Sequence, residues 1–284
     1  MDGRAPPAGA RNANGAGEVS PLFSMWLSGL AAALALVLLV WLVSLVRRDA
    51  SIIDILWGPG FAVLAWVYAA WGVGWSPRRL LALTLVTLWG VRLAAHILWR
   101  ARGKGEDYRY REMREKHGRR FWGVSLFTVF LLQGFLLWVI SAPLLQTIRA
   151  AEPARWTGFD LAALVRFAAG FLFEAIGDLQ LTRFRSDPTN RGKVLRSGLW
   201  RYTRHPNYFG DAVVWWSFFL LALGTPASLW TVFSPLLMTF LLLKISGVGL
   251  LEQKLRRTRP EYQDYVASTN AFLPWFPRSS RERR

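Results

Sequence analysis

The chain contains seven apolar segments, each about as long as a membrane-spanning helix. They lie at about residues 22–46, 52–72, 79–99, 122–148, 159–180, 207–224 and 228–250. About 20 helical residues cross the hydrocarbon layer of a bilayer, because each adds about 1.5 Å and the layer is about 30 Å thick. The sequence therefore predicts an all-α fold, a polytopic membrane protein with about seven transmembrane helices.

The segments outside the apolar core suggest a simple division of the chain. Residues 1–20 are rich in Ala, Gly, Asn and Pro and are predicted to form a disordered tail. Residues 21–276 form the predicted seven-helix domain, and residues 277–284 form a basic C-terminal tail. The first apolar segment is too long for the core of a secretory signal. The sequence contains no cysteine, which excludes disulfides, thiolate metal ligands and cysteine nucleophiles.

The net charge of +17 is distributed by membrane side. With seven spans, 26 Lys and Arg residues fall on one side and 6 on the other. The positive-inside rule assigns the basic side to the cytoplasm, so the N-terminus is predicted outside and the C-terminus in the cytoplasm. The surplus charge is interpreted as topology and contact with membrane lipids, and no nucleic-acid partner is predicted.

Polar side chains inside the apolar segments also follow a pattern. A charge at the centre of a bilayer costs about 2.5–3.5 kcal/mol, so such residues are functional candidates. With this orientation the cytoplasmic half holds Asp54, Arg92, His96, Glu174, Asp178, Asn207 and Asp211, while Gln133 lies near mid-depth. We interpret them as one shared cavity open to the cytoplasm, against the alternative that each reaches the interface singly. Trp57-Gly-Pro-Gly60 is predicted to break the second helix beside that cavity.

The stretch from Gly198 to Asp211 leads from a cationic loop into a helix. Arg204 and His205 precede Pro206, which suits the first turn of a helix. Such a helix start is a favourable place for a phosphate, although a basic loop against anionic lipid is the alternative. The sequence has no phosphate-binding P-loop and no Gly-x-Gly-x-x-Gly after a strand, so a Rossmann fold is not predicted. No metal site is predicted either.

Several motifs together resemble the steroid 5-alpha-reductase superfamily, in particular its bacterial branch of uncharacterised membrane proteins. They are Asp178-Leu-Gln-Leu-Thr-Arg-Phe-Arg185, Gly198 to Asp211, Asp54-x-x-Trp57-Gly58, Trp89-Gly-x-Arg92-Leu-x-x-His96, Glu106-Asp-Tyr-Arg-Tyr110 and Phe272-Leu-Pro274. The resemblance covers about residues 50–276. It implies a seven-helix enzyme of the bacterial inner membrane that uses NADPH to reduce a conjugated carbon–carbon double bond in a steroid-like or isoprenoid lipid.

The resemblance also implies roles for individual residues. The expected NADPH contacts are Asp178, Arg185, Asn207 and Asp211, with Arg204, His205 and Tyr208 as neighbours. The expected proton donor to the substrate is Asp54, with His96 and Tyr110 as alternatives. The substrate cavity is expected to include Trp57, Trp89, Arg92, Gln133 and Glu174. Two of these depart from steroid reductases, which carry Asn in place of Glu174 and Tyr in place of Trp89.

Two other functions fit part of the sequence. Membrane methyltransferases that use S-adenosylmethionine, including isoprenylcysteine carboxyl methyltransferases, carry a similar Arg204-His-Pro-x-Tyr-x-Gly210 stretch and a later acid like Glu252. A lipid carrier or transporter would explain the cavity but not the anion-binding loop, and the sequence lacks an evident inverted repeat. The sequence makes no prediction of the oligomeric state.

Overall fold

The computed structural model describes residues 20–245, Glu252 and residues 261–278. The predicted disordered tail, apart from Ser20, and most of the basic C-terminal tail lie outside the described residues. The structure is 78% helical, and no strand occurs in the part of the chain that it describes. The predicted all-α class is confirmed.

A helix forms in each of the seven predicted apolar segments. In chain order the helices are α1 (Pro21–Arg47), α2 (Ile52–Ala69), α3 (Ser76–Ala101), α4 (Tyr108–His117), α5 (Phe121–Ser125), α6 (Leu132–Ile140), α7 (Ala142–Arg149), α8 (Gly158–Ser186), α9 (Pro206–Leu223), α10 (Phe233–Phe240) and α11 (Tyr262–Ser268). A π-helical segment, Leu126–Leu131, joins α5 to α6, and a second, Leu241–Ile245, extends α10. The remainder of the predicted seventh span lies outside the described residues.

Four stretches are long and apolar enough to cross a membrane among the residues described. They are Pro21–Arg47, Ile52–Ala69, Ser76–Ala101 and Tyr108–Ile140. Their length and apolar composition are those of an integral membrane protein, while the count of seven spans stays a prediction.

The predicted break in the second helix is wrong, because α2 continues through Pro59 as one helix. The reason lies in its packing against α3. A side chain at Gly58 would place its Cβ 2.7 Å from the Gly90 Cα, so the two backbones touch at this crossing. Membrane helices use small residues for such contacts, and a neighbouring helix allows them to tolerate an internal proline.

The fourth predicted span is interrupted near its end. Helix α6 ends at Ile140, and α7 begins after Ser141 with Pro143 in its first turn. Proline fits the start of a helix because its missing N–H has no partner there in any case. Residues 142–148 are buried, so α7 belongs to the interior of the bundle.

Helices α8 and α9 form the most extensive contact between elements in the described structure. Glycines make this contact close, since a Cβ at Gly210 would lie 2.4 Å from the Glu174 backbone nitrogen. A Cβ at Gly170 would similarly lie 2.9 Å from the Gly210 carbonyl oxygen. The polar residues of α8 are thereby held against the start of α9.

A buried ion pair fastens the end of the bundle that is predicted to face outward. Arg78 donates to both carboxylate oxygens of Asp160, at 2.7 and 2.9 Å. Its guanidinium also donates to the carbonyls of Pro153 and Arg155, at 3.1 and 2.8 Å. Both partners are almost fully buried. The ion pair and these two hydrogen bonds therefore connect α3 to α8 and to the loop that precedes α8.

Candidate active site

A buried polar cluster joins α3, α8 and α9 at the predicted cytoplasmic end. Arg92 on α3 lies between two carboxylates of α8. It donates to Asp178 at 2.6 Å and forms an ion pair with Glu174. Glu174 and Asp178 are four residues apart, so they project from the same face of α8. We call this group, together with the α9 residues Asn207 and Asp211, the carboxylate cluster.

Other side chains complete the hydrogen bonding of the two α8 carboxylates. The indole N–H of Trp89 donates to Glu174 at 3.0 Å. The amide of Asn207 donates to Asp178 at 3.1 Å, and the His96 Nε2 lies 3.6 Å from the same carboxylate. Asp178 therefore has partners on both α3 and α9, whereas the two partners of Glu174, Arg92 and Trp89, both lie on α3.

Asp211 enters the carboxylate cluster one helical turn after Asn207. Its side chain is buried, and the charges of Arg92 and Asp178 act on it. Its Oδ1 atom is buried and has no hydrogen-bond partner among the described residues. The cluster thus holds three carboxyl groups and one guanidinium.

A second polar cluster surrounds Asp54 at the start of α2. The Tyr110 hydroxyl donates to Asp54 at 2.6 Å, and Arg109 donates to its other oxygen at 2.7 Å. The Gln133 side chain lies near the Tyr110 hydroxyl and acts on it. Both Arg109 and Tyr110 belong to α4, which begins at the capping side chain of Asp107.

An electropositive cavity of about 430 Å³ lies beneath the loop between α8 and α9. Its cationic and imidazole side chains are Arg185, Arg191, Lys193, Arg204 and His205, and its aromatic side chains are Phe184, Trp200, Tyr262 and Tyr265. Ligand pockets typically enclose 300–1,000 Å³, so this volume suits an organic ligand or a large part of one. The excess of cations favours an anionic group such as phosphate.

Glu252 holds two residues of the cavity lining, Arg204 and His205, in position. Its carboxylate accepts from Arg204 at 2.8 Å and lies 3.3 Å from the His205 Nε2. Burial by itself would raise the pKa of Glu252, but the hydrogen bonds from His205 and Arg204 outweigh it and hold the pKa at about 2. Arg204 also donates to the Val266 and Thr269 carbonyls, so its guanidinium links the loop to α11.

Tyr208 lies near charged residues of both polar clusters and of the cavity. Its ring stacks on that of His205, with centroids 5.5 Å apart and planes 12° from parallel. The charges of Arg109, Asp178 and Arg185 all act on its hydroxyl group. The carboxylate cluster, the cluster around Asp54 and the cavity therefore each have a charged residue near Tyr208.

The predicted proton donors do not all come together. Asp54 and Tyr110 are hydrogen-bonded to each other, whereas His96 belongs to the carboxylate cluster and faces Asp178. The predicted NADPH contacts are divided as well. Arg185, Arg204 and His205 line the cavity, while Asp178, Asn207 and Asp211 lie in the buried cluster.

The predicted substrate residues have mixed surroundings. Trp89 is fully buried in an aromatic group, with its ring 5.7 Å from Trp215 and 6.0 Å from Phe61. Trp57 packs edge-on against the same Phe61 at 5.3 Å. Trp89 therefore serves as packing on one side and as a hydrogen-bond donor to Glu174 on the other.

Sequence reasoning missed Arg109 and the helix that carries it. The pattern of apolar segments does not predict α4, which lies between the third and fourth apolar segments. A signal was present, since Asp107 is a good N-cap residue and Glu112 precedes Lys116 by one helical turn. Arg191 and Lys193, which line the cavity, are not among the predicted site residues either.

The donor set of the cavity fits a phosphate-bearing cofactor. Arg185, Arg191 and Lys193 offer charged N–H groups, and the buried His205 Nδ1 has no partner among the described residues. A metal centre has less support, because the described residues include no group of three His, Cys, Asp or Glu side chains suited to a metal ion.

Comparisons with known proteins find a matching family and a relative. The family described as "Protein of unknown function (DUF1295)" matches residues 40–269. An uncharacterized protein of Schizosaccharomyces pombe is 27% identical over 265 residues, which cover 83% of this chain and 75% of the yeast protein. No solved structure matches the chain.

Proposed function

Since this chain belongs to the DUF1295 family, which is related to steroid 5-alpha-reductase-like proteins, we propose that it is a membrane-embedded, NADPH-dependent reductase. Its substrate would be a conjugated carbon–carbon double bond in a steroid-like or isoprenoid lipid. Within the superfamily it would belong to the bacterial branch, and its location would be the bacterial inner membrane. The main support for the proposal is that the basic cavity and the carboxylate cluster lie at the same end of α8.

The cavity supports the cofactor assignment by its chemistry. Arg185, Arg191 and Lys193 would bind the phosphate groups, because guanidinium and ammonium groups form charge-assisted hydrogen bonds with phosphate oxygens. Arg204, held by Glu252 and two carbonyls, would keep the loop and His205 in position. When bound, NADPH supplies the hydride for such a reduction.

The cluster around Asp54 supplies the proton chemistry. As hydride reaches a conjugated enone, negative charge develops on its oxygen and requires a hydrogen-bond donor or an acid. The Tyr110 hydroxyl donates a hydrogen bond to Asp54, and the positive charge of Arg109 offsets the negative charge of that carboxylate. In this arrangement Tyr110 would face the substrate oxygen and Asp54 would position it. His96, which lies in the carboxylate cluster, remains the alternative donor.

A thermal-shift experiment on the detergent-purified protein tests the cofactor. NADPH, NADH and S-adenosylmethionine are added in parallel, and the unfolding midpoint is followed. A ligand at 100 times its Kd adds about 2.7 kcal/mol to the stability, which raises the midpoint by several degrees. We expect NADPH to give the largest shift. No shift with either nicotinamide cofactor would contradict the proposal.

Two arginine variants give this experiment a matched control. Arg185 lines the cavity, whereas Arg183 on the same helix is exposed and does not line it. Arg185→Gln should reduce the NADPH shift at a given concentration, while Arg183→Gln should leave it unchanged. Equal loss in both variants would indicate general charge attraction rather than binding in the cavity.

The methyltransferase alternative is favoured by one contact. Arg204 and His205 both contact Glu252, which joins the two parts of the motif that such enzymes share. If S-adenosylmethionine alone stabilises the protein, this function replaces the reductase.

A further inference from the structure

We propose that Asp211 is a proton-binding site, occupied at neutral pH, so that its side chain is a neutral carboxylic acid in the interior of the bundle. The first reason is charge balance. Glu174, Asp178 and Asp211 lie around one fixed cation, Arg92. Burying a charge without compensation costs far more than burying a neutral acid, so the cluster must gain positive charge.

The hydrogen bonds identify which of the three carboxyl groups holds the proton. Glu174 is paired with Arg92 and accepts from the Trp89 indole. Asp178 is paired with Arg92 and accepts from Asn207. These donors stabilise a carboxylate on each α8 residue.

Asp211 has no comparable set of donors. It is 8% exposed, and its Oδ1 atom is buried without a partner among the described residues. Arg92 directs its Nη atoms to the two α8 carboxylates instead. An ionised Asp211 would therefore lack the hydrogen bonds that a buried carboxylate requires, whereas a protonated one needs fewer of them.

The remaining titratable groups nearby do not remove the imbalance. The described residues that face the cluster are Arg92 and His96 from α3, Glu174 and Asp178 from α8, and Asn207 and Tyr208 from α9. A charged His96 would lie beside Asp178, at 3.6 Å, and would leave the total at one negative charge in excess. With His96 neutral the excess is two negative charges, so a proton bound at Asp211 lowers the excess in either case.

The bound proton bears on the proposed reduction, and this step rests on the proposed function. Adding a hydride to a double bond leaves an anion that needs one proton to complete the reduction. A neutral acid at Asp211 holds one such proton in the interior of the bundle. His96, whose Nε2 lies 3.6 Å from Asp178, would return a proton to the cluster once Asp211 has given up its own.

Infrared spectroscopy tests the proton directly and does not depend on any activity. A protonated carboxyl group has a C=O stretching band that is distinct from carboxylate bands and shifts in D2O. At neutral pH we expect the wild-type protein to show this band and Asp211→Asn to lose it. Glu106→Gln is the matched control, because Glu106 accepts from Arg114 and the Ala50 N–H, which lower its pKa despite partial burial. Its substitution should leave the band unchanged.

A second measurement covers the case in which Asp211→Asn does not fold. Wild-type protein labelled with ¹³C at the aspartate carboxyl groups should show the band at lower frequency. A band that is absent at neutral pH, or that does not move with the aspartate label, would overturn the proposal. Because no cofactor is added, a failed thermal shift with NADPH and a missing infrared band are separate results.

Discussion

Two neighbouring side chains hold the pKa of Glu252 far below its usual value in this protein. Glu252 is buried next to Arg204 and His205, which line the cavity and both contact its carboxylate. Its pKa is lowered from 4.5 to about 2. When folding lowers the pKa of a carboxyl group, its ionised form stabilises the fold at pH values above its pKa in the unfolded state. This stabilisation is lost as the pH falls through its pKa in the folded state.

Acid should therefore weaken the protein through Glu252 between about pH 4.5 and about pH 2. The shift corresponds to roughly 3 kcal/mol, at about 1.4 kcal/mol per pKa unit. Glu252→Gln should be less stable than the wild type at neutral pH, and the difference should narrow across this window. Unfolding of both proteins in detergent, followed at a series of pH values, measures it. A constant difference down to pH 2 would contradict the prediction.

At the scale of single residues, sequence reasoning identified positions better than partners. Glu174 and Asp178 could be predicted as functional candidates because short carboxylates in an apolar helix need a reason to be there. Their pairing with Arg92 depends on how far α3 and α8 are displaced along each other, which no local pattern specifies. The same holds for Arg109, whose contact with Asp54 joins residues 55 positions apart.

At the scale of helices, the crossing of α2 and α3 explains why the predicted break in α2 is wrong. Trp57-Gly-Pro-Gly60 has the composition of a helix break, yet α2 continues through it. The glycine is needed for close approach to Gly90 on another helix, and not for a turn. Apolar length predicted the positions of the long helices well, because it depends on the bilayer and not on neighbours. The crossing depends on neighbours, so the sequence alone did not reveal it.

This crossing leads to a prediction for glycine substitutions. Gly58→Ala places a Cβ 2.7 Å from the Gly90 Cα, which forces the two helices apart. We expect the free energy of unfolding to fall by about 1–3 kcal/mol, the usual cost of overpacking. Gly123→Ala is the control, because a Cβ there meets no atom within 4 Å.

The control variant should be neutral or more stable by up to about 1 kcal/mol, since alanine favours a helix over glycine. Reversible unfolding in mixed detergent micelles measures both variants. An equal effect of the two substitutions would show that helix propensity, and not the crossing, determines the outcome.

At the scale of the whole molecule, the absence of cysteine makes the predicted orientation easy to test. Single cysteines can be introduced at exposed positions and labelled with a maleimide that does not cross membranes. The positions are Ser20, Lys104, Ala227 and Arg278, all exposed in the structure. We expect Ser20→Cys and Ala227→Cys to react in intact cells, because seven spans place both outside the membrane.

Lys104→Cys and Arg278→Cys should react only after the cells are permeabilised. Ala227 separates α9 from α10, so its result also tests the number of spans. If Ala227→Cys is labelled only in permeabilised cells, the chain crosses the membrane fewer times than predicted. That result would contradict the predicted topology.

The buried pair of Arg78 and Asp160 has a mechanical consequence for the bundle. Pulling α3 and α8 apart at that end would strand a guanidinium and a carboxylate, with two backbone carbonyls, away from their partners. Breaking a buried ion pair costs about 3–5 kcal/mol. When the helices separate to admit a large substrate, they should therefore rotate about the end that this ion pair holds. The separation between α3 and α8 should be greatest at the opposite end of the bundle.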